Sequence, residues 1–144
     1  MSPSDLREKP RRTQRIIGTI GALLWAALIF GLSSIQGSGY PEHPGFLNYI
    51  AHFGEYLVLA VLVTLALHGP KQPLWRSALI AVLAASVYAV SDEFHQYFVP
   101  GRECDPVDWA VDTLGALVGA LATIFYLSFK KVQQSRARDE RHKL

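Results

Sequence analysis

Side chains able to transfer protons or bind polar ligands cluster in three short stretches of this sequence. The three groups are His52 and Glu55; Asp92, Glu93, His95 and Gln96; and Asp108 and Asp112. Imidazole and carboxylate groups are the usual general acids and bases of proteins. Arg102 follows a Pro-Gly turn between the second and third stretch, and its guanidinium suits phosphate binding. The combination predicts a site for acid–base chemistry on a polar or phosphorylated ligand.

We assign the candidate residues to two roles, each with an open alternative. Proton transfer is assigned to Glu93, Glu55 and His52. Substrate binding is assigned to Arg102, Gln96, Asp108 and Asp112. The alternatives are structural. His52 and Glu55 are equally well explained as a helix-packing pair, and Glu93 and Gln96 as groups that hold two helices together. Arg102 would then form an internal salt bridge with Asp105, Asp108 or Glu93. Asp108 would cap the N-terminus of a helix that follows Pro106, and Asp112 would make an interhelical hydrogen bond.

Metal ligation has weaker support from residue spacing. Histidines and carboxylates can hold Zn²⁺, but the sequence contains no H-E-x-x-H, and Asp92-x-x-His95 is a single short match. Ser91 adjoins Asp92 without the turn expected of a nucleophilic serine. We therefore assign no metal and no cofactor. Cys104 is the only cysteine, so no internal disulfide can form.

The elements that must position these residues are four long apolar blocks. They lie at Ile16–Leu32, Tyr49–Leu67, Ser77–Phe98 and Asp108–Phe129. Each is close to the ~20 residues that cross a ~30 Å hydrocarbon core. The predicted fold is an all-α, integral membrane four-helix bundle over residues 16–129. A cleaved signal peptide is the competing interpretation of the first block.

Charged residues predict the orientation of the bundle. Lys and Arg number five in residues 1–15, two in the turn after the second block and six in residues 130–144, but none and one in the other two loops. The positive-inside rule then places both termini in the cytoplasm. Residues 1–15 are expected to be a disordered basic tail and residues 130–144 a charged tail. Basic residues that flank apolar spans argue against nucleic-acid binding.

This topology brings the polar residues together near the outer membrane face. At 1.5 Å per residue, all three groups fall within about 10 Å of that face. Helical spacing puts Asp108 and Asp112 on one stripe with Gly115 and Gly119, a close-packing signature in membranes. Gly18, Ala22 and Ala26 form a similar stripe on the first span. On the third span we expect Glu93 and Gln96 to point inward, and Asp92 or His95 to face the headgroups.

The energetics of charge in a membrane constrain this cluster. An ionised carboxylate at the bilayer centre costs about 2.5–3.5 kcal/mol even on lenient scales. The five carboxylates are Glu55, Asp92, Glu93, Asp108 and Asp112. Few cations accompany them, so they must be hydrated, protonated or neutralised by a bound cation. Each option predicts an acidic pocket that opens to the outside.

The pattern D-E-F-H-Q-Y-F-V-P-G-R resembles that of the VanZ-like family of small bacterial membrane proteins. Matching positions include Glu93, Gln96, Arg102, Asp108, Gly115 and Gly119, and upstream His52, Glu55 and Tyr56 within H-F-x-E-Y. The resemblance covers about residues 16–129. Asp112 departs from the family pattern, which has Asn there, and adds a titrating group. The family's founding member is associated with low-level teicoplanin resistance, so the resemblance implies a role in the cell envelope.

Three functions remain open from these residues. The first is binding or modification of a lipid-linked, phosphate-bearing envelope molecule at the outer leaflet of the bacterial cytoplasmic membrane. The second is a small transporter or flippase with a carboxylate relay, which would need an oligomer or a large motion because the inner halves of the helices are apolar. The third is a structural or partner-binding protein without its own chemistry. The expected partners are membrane lipids and further copies of the chain.

Overall fold

The computed structural model describes residues 3–36, 45–69, 72–102 and 104–141, with side chains from residue 12 in the first range and residue 46 in the second. These residues form four α-helices: α1 Pro3–Ser33, α2 Gly45–Leu67, α3 Leu74–Gln96 and α4 Pro106–Arg141. No strand occurs within them. All four helices are long and apolar enough to cross a membrane. The predicted all-α, four-helix membrane fold is confirmed.

The helices extend beyond the predicted spans at both ends of the chain. Helix α1 begins at Pro3, so our expectation of a disordered segment before Ile16 is wrong from Pro3 onward. Helix α4 continues from Phe129 to Arg141. Part of the charge pattern lies outside the described residues, namely the loop residues 37–44, Lys71 and Lys143.

Helix α2 is the central element, because it packs against each of the other three helices. Small residues allow this close packing. A Cβ atom on Gly115 would overlap the carbonyl oxygen of Phe53, and one on Gly119 would overlap that of Leu57. The backbones of α4 and α2 are therefore in direct contact, as the spacing of these glycines predicts.

A second glycine contact joins α1 to α2. A Cβ on Gly18 would lie 2.6 Å from the backbone nitrogen of Ala66. Between the glycine contacts, the core consists mainly of alanines around the fully buried ring of Tyr56. Large apolar side chains point outward instead, as in Leu24 and Phe125, which are 68% and 74% exposed. This distribution suits a protein whose surroundings are lipid.

Two arginines bind helix C-termini at opposite ends of the bundle. Arg15 Nε donates to the carbonyl of Ala66, at the end of α2, over 3.2 Å. Arg102 donates from Nε to the carbonyl of Ile35 and from Nη2 to that of Leu32, each over 3.2 Å. Both arginines satisfy carbonyl groups that a helix end leaves without an intrahelical partner.

Candidate functional site

The polar residues converge at one end of the bundle, where α2 and α4 begin and α3 ends. We call this region the polar end. Its buried polar side chains, each at most 6% exposed, are His52, Asp92, Glu93, Gln96, Asp108 and Asp112. The three stretches identified in the sequence thus meet in space, because α2, α3 and α4 each contribute one of them.

His52 lies between two aspartates of α4. Its Nδ1 is 3.0 Å from Asp112 Oδ1, and its Nε2 is 3.7 Å from Asp108 Oδ2. We assign the Nδ1 proton from this hydrogen bond, since an ionised carboxylate only accepts. Asp112 therefore fixes the ring of His52 and leaves Nε2 directed at Asp108. A histidine oriented in this way by a buried carboxylate is a common arrangement for proton transfer.

Asp108 is held by α2 rather than by its own helix. Asn48 Nδ2 donates to both carboxylate oxygens of Asp108, over 3.1 and 3.3 Å. The helix cap that we considered for Asp108 is instead Asp105, whose Oδ1 accepts from the backbone nitrogen of Val107 over 2.8 Å. That correction follows from Pro106 being the first helical residue, which makes Asp105 the N-cap position.

Glu93 faces the same cluster from α3. Its Oε2 accepts a hydrogen bond from the backbone nitrogen of Asp105 over 2.8 Å, which ties the end of α3 to the start of α4. Glu93, His52 and Asp112 each present one ligand-type atom within 4.8 Å of the other two. Three different helices thus contribute to one compact group of an imidazole and two carboxylates.

The third helix turns more of its polar residues inward than the sequence predicted. Glu93 and Gln96 are buried as expected, but Asp92 is buried as well. Gln96 Nε2 donates to Asp92 Oδ2 over 3.1 Å, which gives Asp92 a polar environment away from the headgroups. His95 lies against α1, where its ring stacks on Phe30 at 4.4 Å between centroids and its Nε2 is 2.9 Å from Ser34 Oγ.

Glu55 and Arg102 occupy the edge of the site. Glu55 is half-buried and close enough to His52, Asp92 and Asp112 to interact with them electrostatically. Arg102 is also half-buried. Among the described residues it forms no ion pair within 4 Å, so the predicted salt bridge to Asp105, Asp108 or Glu93 is absent. Its donors contact the end of α1 instead.

Several buried oxygen atoms of this region have no hydrogen-bond partner among the described residues. They are Asp92 Oδ1, Glu93 Oε1, Asp112 Oδ2 and Tyr56 Oη. Buried polar atoms are normally paired, because leaving one unpaired costs about 1–3 kcal/mol. The polar end therefore has unused capacity to accept a proton, a donor group or a cation.

The acidic pocket that the sequence predicts at this cluster stays a prediction. A groove with an accessible volume of about 520 Å³ lies on α3 and is lined by Ile80, Leu83, Ala84, Val87, Tyr88 and Ser91. Its lining is apolar and includes none of the carboxylates. The two acidic residues of α3, Asp92 and Glu93, are buried near the C-terminal end of this helix.

Sequence reasoning missed two contributors to the site. Asn48 lies one turn before His52 on the same face of α2, and that spacing was the available signal. Asp105 adjoins Pro106, and Asp-Pro at a helix start is a readable cap signal. Asn48 was assigned no role, and Asp105 was considered only as a salt-bridge partner of Arg102, because their actual partners lie on other helices.

Comparison with known proteins places this arrangement in a family. Neither a curated protein nor a solved structure matches the chain. Residues 13–129 match the model of a protein family described as VanZ/LLP1. This range includes most of each candidate membrane span and every residue of the polar end. The resemblance predicted from the D-E-F-H-Q-Y-F-V-P-G-R stretch is thereby confirmed, and this multi-pass membrane protein belongs to the VanZ/LLP1 family.

Proposed function

We propose that this protein binds and modifies a lipid-linked, phosphate-bearing molecule of the cell envelope at the outer leaflet of the bacterial cytoplasmic membrane. The observation that carries the proposal is the buried His52–Asp112 pair beside Glu93. Replacing a buried ion pair by well-packed apolar residues often costs a protein no stability, so ionisable groups inside a membrane protein are a functional hypothesis by default.

Charge distribution supports an outward orientation for the polar end. The opposite end carries Arg12 and Arg15 at the start of the first span and Lys130 and Lys131 after the fourth. Cytoplasmic segments are enriched in Lys and Arg. The polar end would then lie at the depth of the outer headgroups, where a lipid phosphate is accessible.

The proposed chemistry assigns one task to each group. His52 transfers a proton through Nε2, oriented by Asp112, and Glu93 and Glu55 are the further acid–base groups. Arg102 binds the phosphate: a guanidinium has five N–H donors, and the contacts with Leu32 and Ile35 use two of its three nitrogens. Gln96 and Asp108 contact the polar part of the substrate.

Binding can be tested with a pair of lipids that differ only in the phosphate. The purified protein in detergent is mixed with a polyprenyl phosphate or with the polyprenol of equal length, and retained lipid is measured by native mass spectrometry. We expect preferential retention of the phosphate. Arg102→Met should remove this preference, whereas Arg15→Met, which also loses a helix-end contact, should keep it. Equal retention of both lipids by the unmodified protein would contradict the proposal.

Modification can be tested with a polyprenyl phosphodiester whose released head group is measured by mass spectrometry. His52→Gln should abolish release, and His95→Gln, which changes the half-buried histidine beside Phe30, should retain it. If both variants match the unmodified protein, the acid–base role of His52 is excluded and binding alone remains.

A structural role is favoured by one specific observation: the site residues bond between helices. Asn48–Asp108 and His52–Asp112 join α2 to α4, and Asp105–Glu93 joins α4 to α3. If these bonds only hold the bundle, Glu93→Gln should lower the midpoint of thermal unfolding and leave any phenotype intact at equal expression. Loss of phenotype with unchanged stability would exclude this alternative.

A transporter receives less support from the described residues. The buried hydroxyls of Thr64 and Thr123, in the other half of the bundle, donate to carbonyls of their own helices. Such hydroxyls do not continue a carboxylate relay towards the second face. Lipid scrambling above that of empty liposomes would restore this alternative.

The family resemblance adds a cellular test of the proposal. Because the founding member of the VanZ-like family is associated with teicoplanin resistance, expression of this protein in a susceptible strain should raise the inhibitory concentration of teicoplanin. The Arg102→Met and His52→Gln variants, at equal membrane abundance, should lose that increase. An unchanged concentration with the unmodified protein would remove the link to resistance and leave lipid binding to be judged by the assays above.

A further inference from the structure

The carboxylates of the polar end exceed the cations available to neutralise them. Five carboxyl groups come from Glu55, Asp92, Glu93, Asp108 and Asp112, and four of them are at most 6% exposed. Arg102 forms no ion pair with any described residue within 4 Å. A buried carboxylate stays ionised only when it is paired with a cation or bound to a metal; otherwise it takes up a proton and becomes neutral. The described side chains cannot neutralise five ionised carboxylates, so the cluster must take up protons or bind a cation.

Within this cluster, one group of three residues has the geometry of a ligand set. One ring nitrogen of His52 and one carboxylate oxygen each from Glu93 and Asp112 lie within 4.8 Å of one another. Around an ion with bonds of about 2.1 Å, ligand atoms at tetrahedral angles are about 3.4 Å apart. His52 Nδ1 and Asp112 Oδ1 are 3.0 Å apart. Side-chain rotations that bring the ligand atoms of all three residues to about 3.4 Å from one another would complete the coordination geometry.

Unpartnered atoms at the same place point independently to a bound group. Glu93 Oε1 and Asp112 Oδ2 are buried and make no hydrogen bond with any described residue, although the second oxygen of each carboxylate is bonded. Asp112 is 0% exposed. Glu93 is thus anchored by Oε2 to the backbone that precedes α4 and presents Oε1 to the shared space, as metal-binding carboxylates do when their outer oxygen is held by a hydrogen bond. Asp112 keeps Oδ2 free beside the oxygen that pairs with His52.

We propose that His52, Glu93 and Asp112 bind one divalent transition cation between α2, α3 and α4. The two carboxylates and the neutral imidazole together balance the charge of the ion. Coordination by Nδ1 displaces the proton of this nitrogen, and Nε2 takes up a proton so that the imidazole stays neutral. The other nitrogen remains available, so the inference neither depends on the proposed lipid chemistry nor excludes it.

The ligand types restrict the choice of ion. Imidazole favours Zn²⁺ and its first-row neighbours over Mg²⁺ and Ca²⁺, while two carboxylates also suit Mn²⁺. Zn²⁺ and Mn²⁺ are therefore the probes. Three protein ligands leave at least one coordination position open, which is the arrangement of exchangeable sites rather than of closed structural ones.

The site can be tested on the full-length protein in detergent, purified with a tag that contains no histidine. The protein is treated with EDTA, equilibrated with Zn²⁺ or Mn²⁺ and separated from free metal, and bound metal is measured by inductively coupled plasma mass spectrometry. We expect stoichiometric loading of the unmodified protein. Glu93→Gln and Asp112→Asn, which keep the side-chain shape, should bind at least about tenfold more weakly, as when a metal site loses a supporting group.

The matched control is Glu55→Gln, which removes a neighbouring carboxylate outside the ligand set and should keep the ion. Thermal unfolding adds a readout, since an ion that binds only the folded state raises the midpoint with its concentration. This increase should occur in the unmodified protein and in Glu55→Gln, but not in Glu93→Gln. The unliganded variants must show the unmodified protein's helical circular dichroism, which excludes misfolding as the reason for lost metal.

Two results would overturn the inference: no loading by either ion, or equal loading of the unmodified protein and both ligand variants, which marks adventitious metal. The proposed lipid function fails separately. Retention of polyprenyl phosphate is measured separately on the EDTA-treated protein, with the Arg102→Met and Arg15→Met variants as its controls. Metal loading without a phosphate preference would leave the cation site standing and remove the lipid proposal.

Discussion

The two ends of the bundle use opposite means to hold the same helices together. At the polar end, side chains of α2, α3 and α4 bond to one another, as in His52–Asp112 and Asp105–Glu93. At the other end, which we call the apolar end, Gly18 lets the backbone of α1 approach that of α2 at Ala66. The hydroxyl of Thr64 donates within its own helix, and Arg15 supplies a side-chain hydrogen bond from α1 to the carbonyl of Ala66.

The difference suggests that packing of small residues assembles the bundle, whereas the proposed chemistry belongs to the polar end. Close packing of small residues stabilises membrane helices without polar groups, so the apolar end and the glycine contacts of α4 can hold the fold. In the proposed function, the ionisable residues of the polar end serve a site in addition to joining α2, α3 and α4. We expect substitutions to affect the two ends differently, in the order of decreasing effect given below.

The largest effect concerns the direction in which the polar end faces. Cys104 is the single cysteine and is exposed, in the loop before α4. A membrane-impermeant maleimide applied to intact spheroplasts should label it fully if the polar end faces outward. Desolvation and the nearby carboxylate of Glu93 raise the pKa of Cys104, so labelling should accelerate as the pH rises. Ser135→Cys in a Cys104→Ser background, on the extension of α4, should react only after lysis. The reverse pattern would place the polar end in the cytoplasm.

The next effect separates glycines that contact a neighbouring helix from those that do not. Gly115→Ala should lower the free energy of unfolding by about 1–3 kcal/mol, because its Cβ overlaps the carbonyl of Phe53 and an overpacked contact must open. Gly54→Ala, with nothing within 4 Å of its Cβ, should be neutral or stabilising. Thermal unfolding in detergent measures both. Equal effects would mean that α2 and α4 do not pack through this face.

A smaller difference should separate a polar-end bond from an apolar-end one. His52→Ala leaves the fully buried Asp112 without its partner and should cost about 1–3 kcal/mol. Thr64→Val removes a hydroxyl whose acceptor, the carbonyl of Ala60, already belongs to the helix, and should cost about 0.6 kcal/mol or less. Chemical unfolding of both proteins at neutral pH gives the comparison. A cost for Thr64→Val as large as that for His52→Ala would contradict the contrast between the two ends.

The smallest effect compares the half-buried Tyr88 with the fully buried Tyr56. Tyr88 Oη donates to the carbonyl of Ala26 over 2.7 Å and joins α3 to α1, so Tyr88→Phe should cost about 0.6 kcal/mol. Tyr56 is 0% exposed and its Oη has no partner among the described residues, so Tyr56→Phe should cost nothing. Thermal midpoints in one detergent suffice for the measurement. A loss of stability in Tyr56→Phe would show that its hydroxyl holds a bound group, and would sharpen the search for that group.

The fold could be predicted from the sequence because a helix needs about 20 apolar residues to cross a membrane. Apolar blocks near Ile16, Tyr49 and Ser77 predicted α1 to α3 to within a few residues at most ends, apart from the early start of α1. The stripe from Asp108 to Gly119 predicted the face of α4 that packs on α2, since helical spacing alone determines which residues share a face.

The candidate site was readable only in part. Spacing along one helix could not show that Glu93 would approach His52 and Asp112 from another helix, so a search for H-E-x-x-H found no ligand set. The same limit explains Arg102, whose acceptors at Leu32 and Ile35 lie about seventy positions away in the chain. Asp92 or His95 was expected to face the headgroups, but Asp92 is buried and accepts a hydrogen bond from Gln96, one turn along the same helix.

The contact between the backbones of α2 and α4 also bears on how such proteins diversify. Gly115 and Gly119 set the separation of these helices through main-chain atoms alone, so the residues one or two turns away can be exchanged without altering the scaffold. Asp112 lies at such a position, one turn before Gly115. The same four-helix fold can therefore accept different reactive side chains at the polar end while the backbone contact between α2 and α4 stays unchanged.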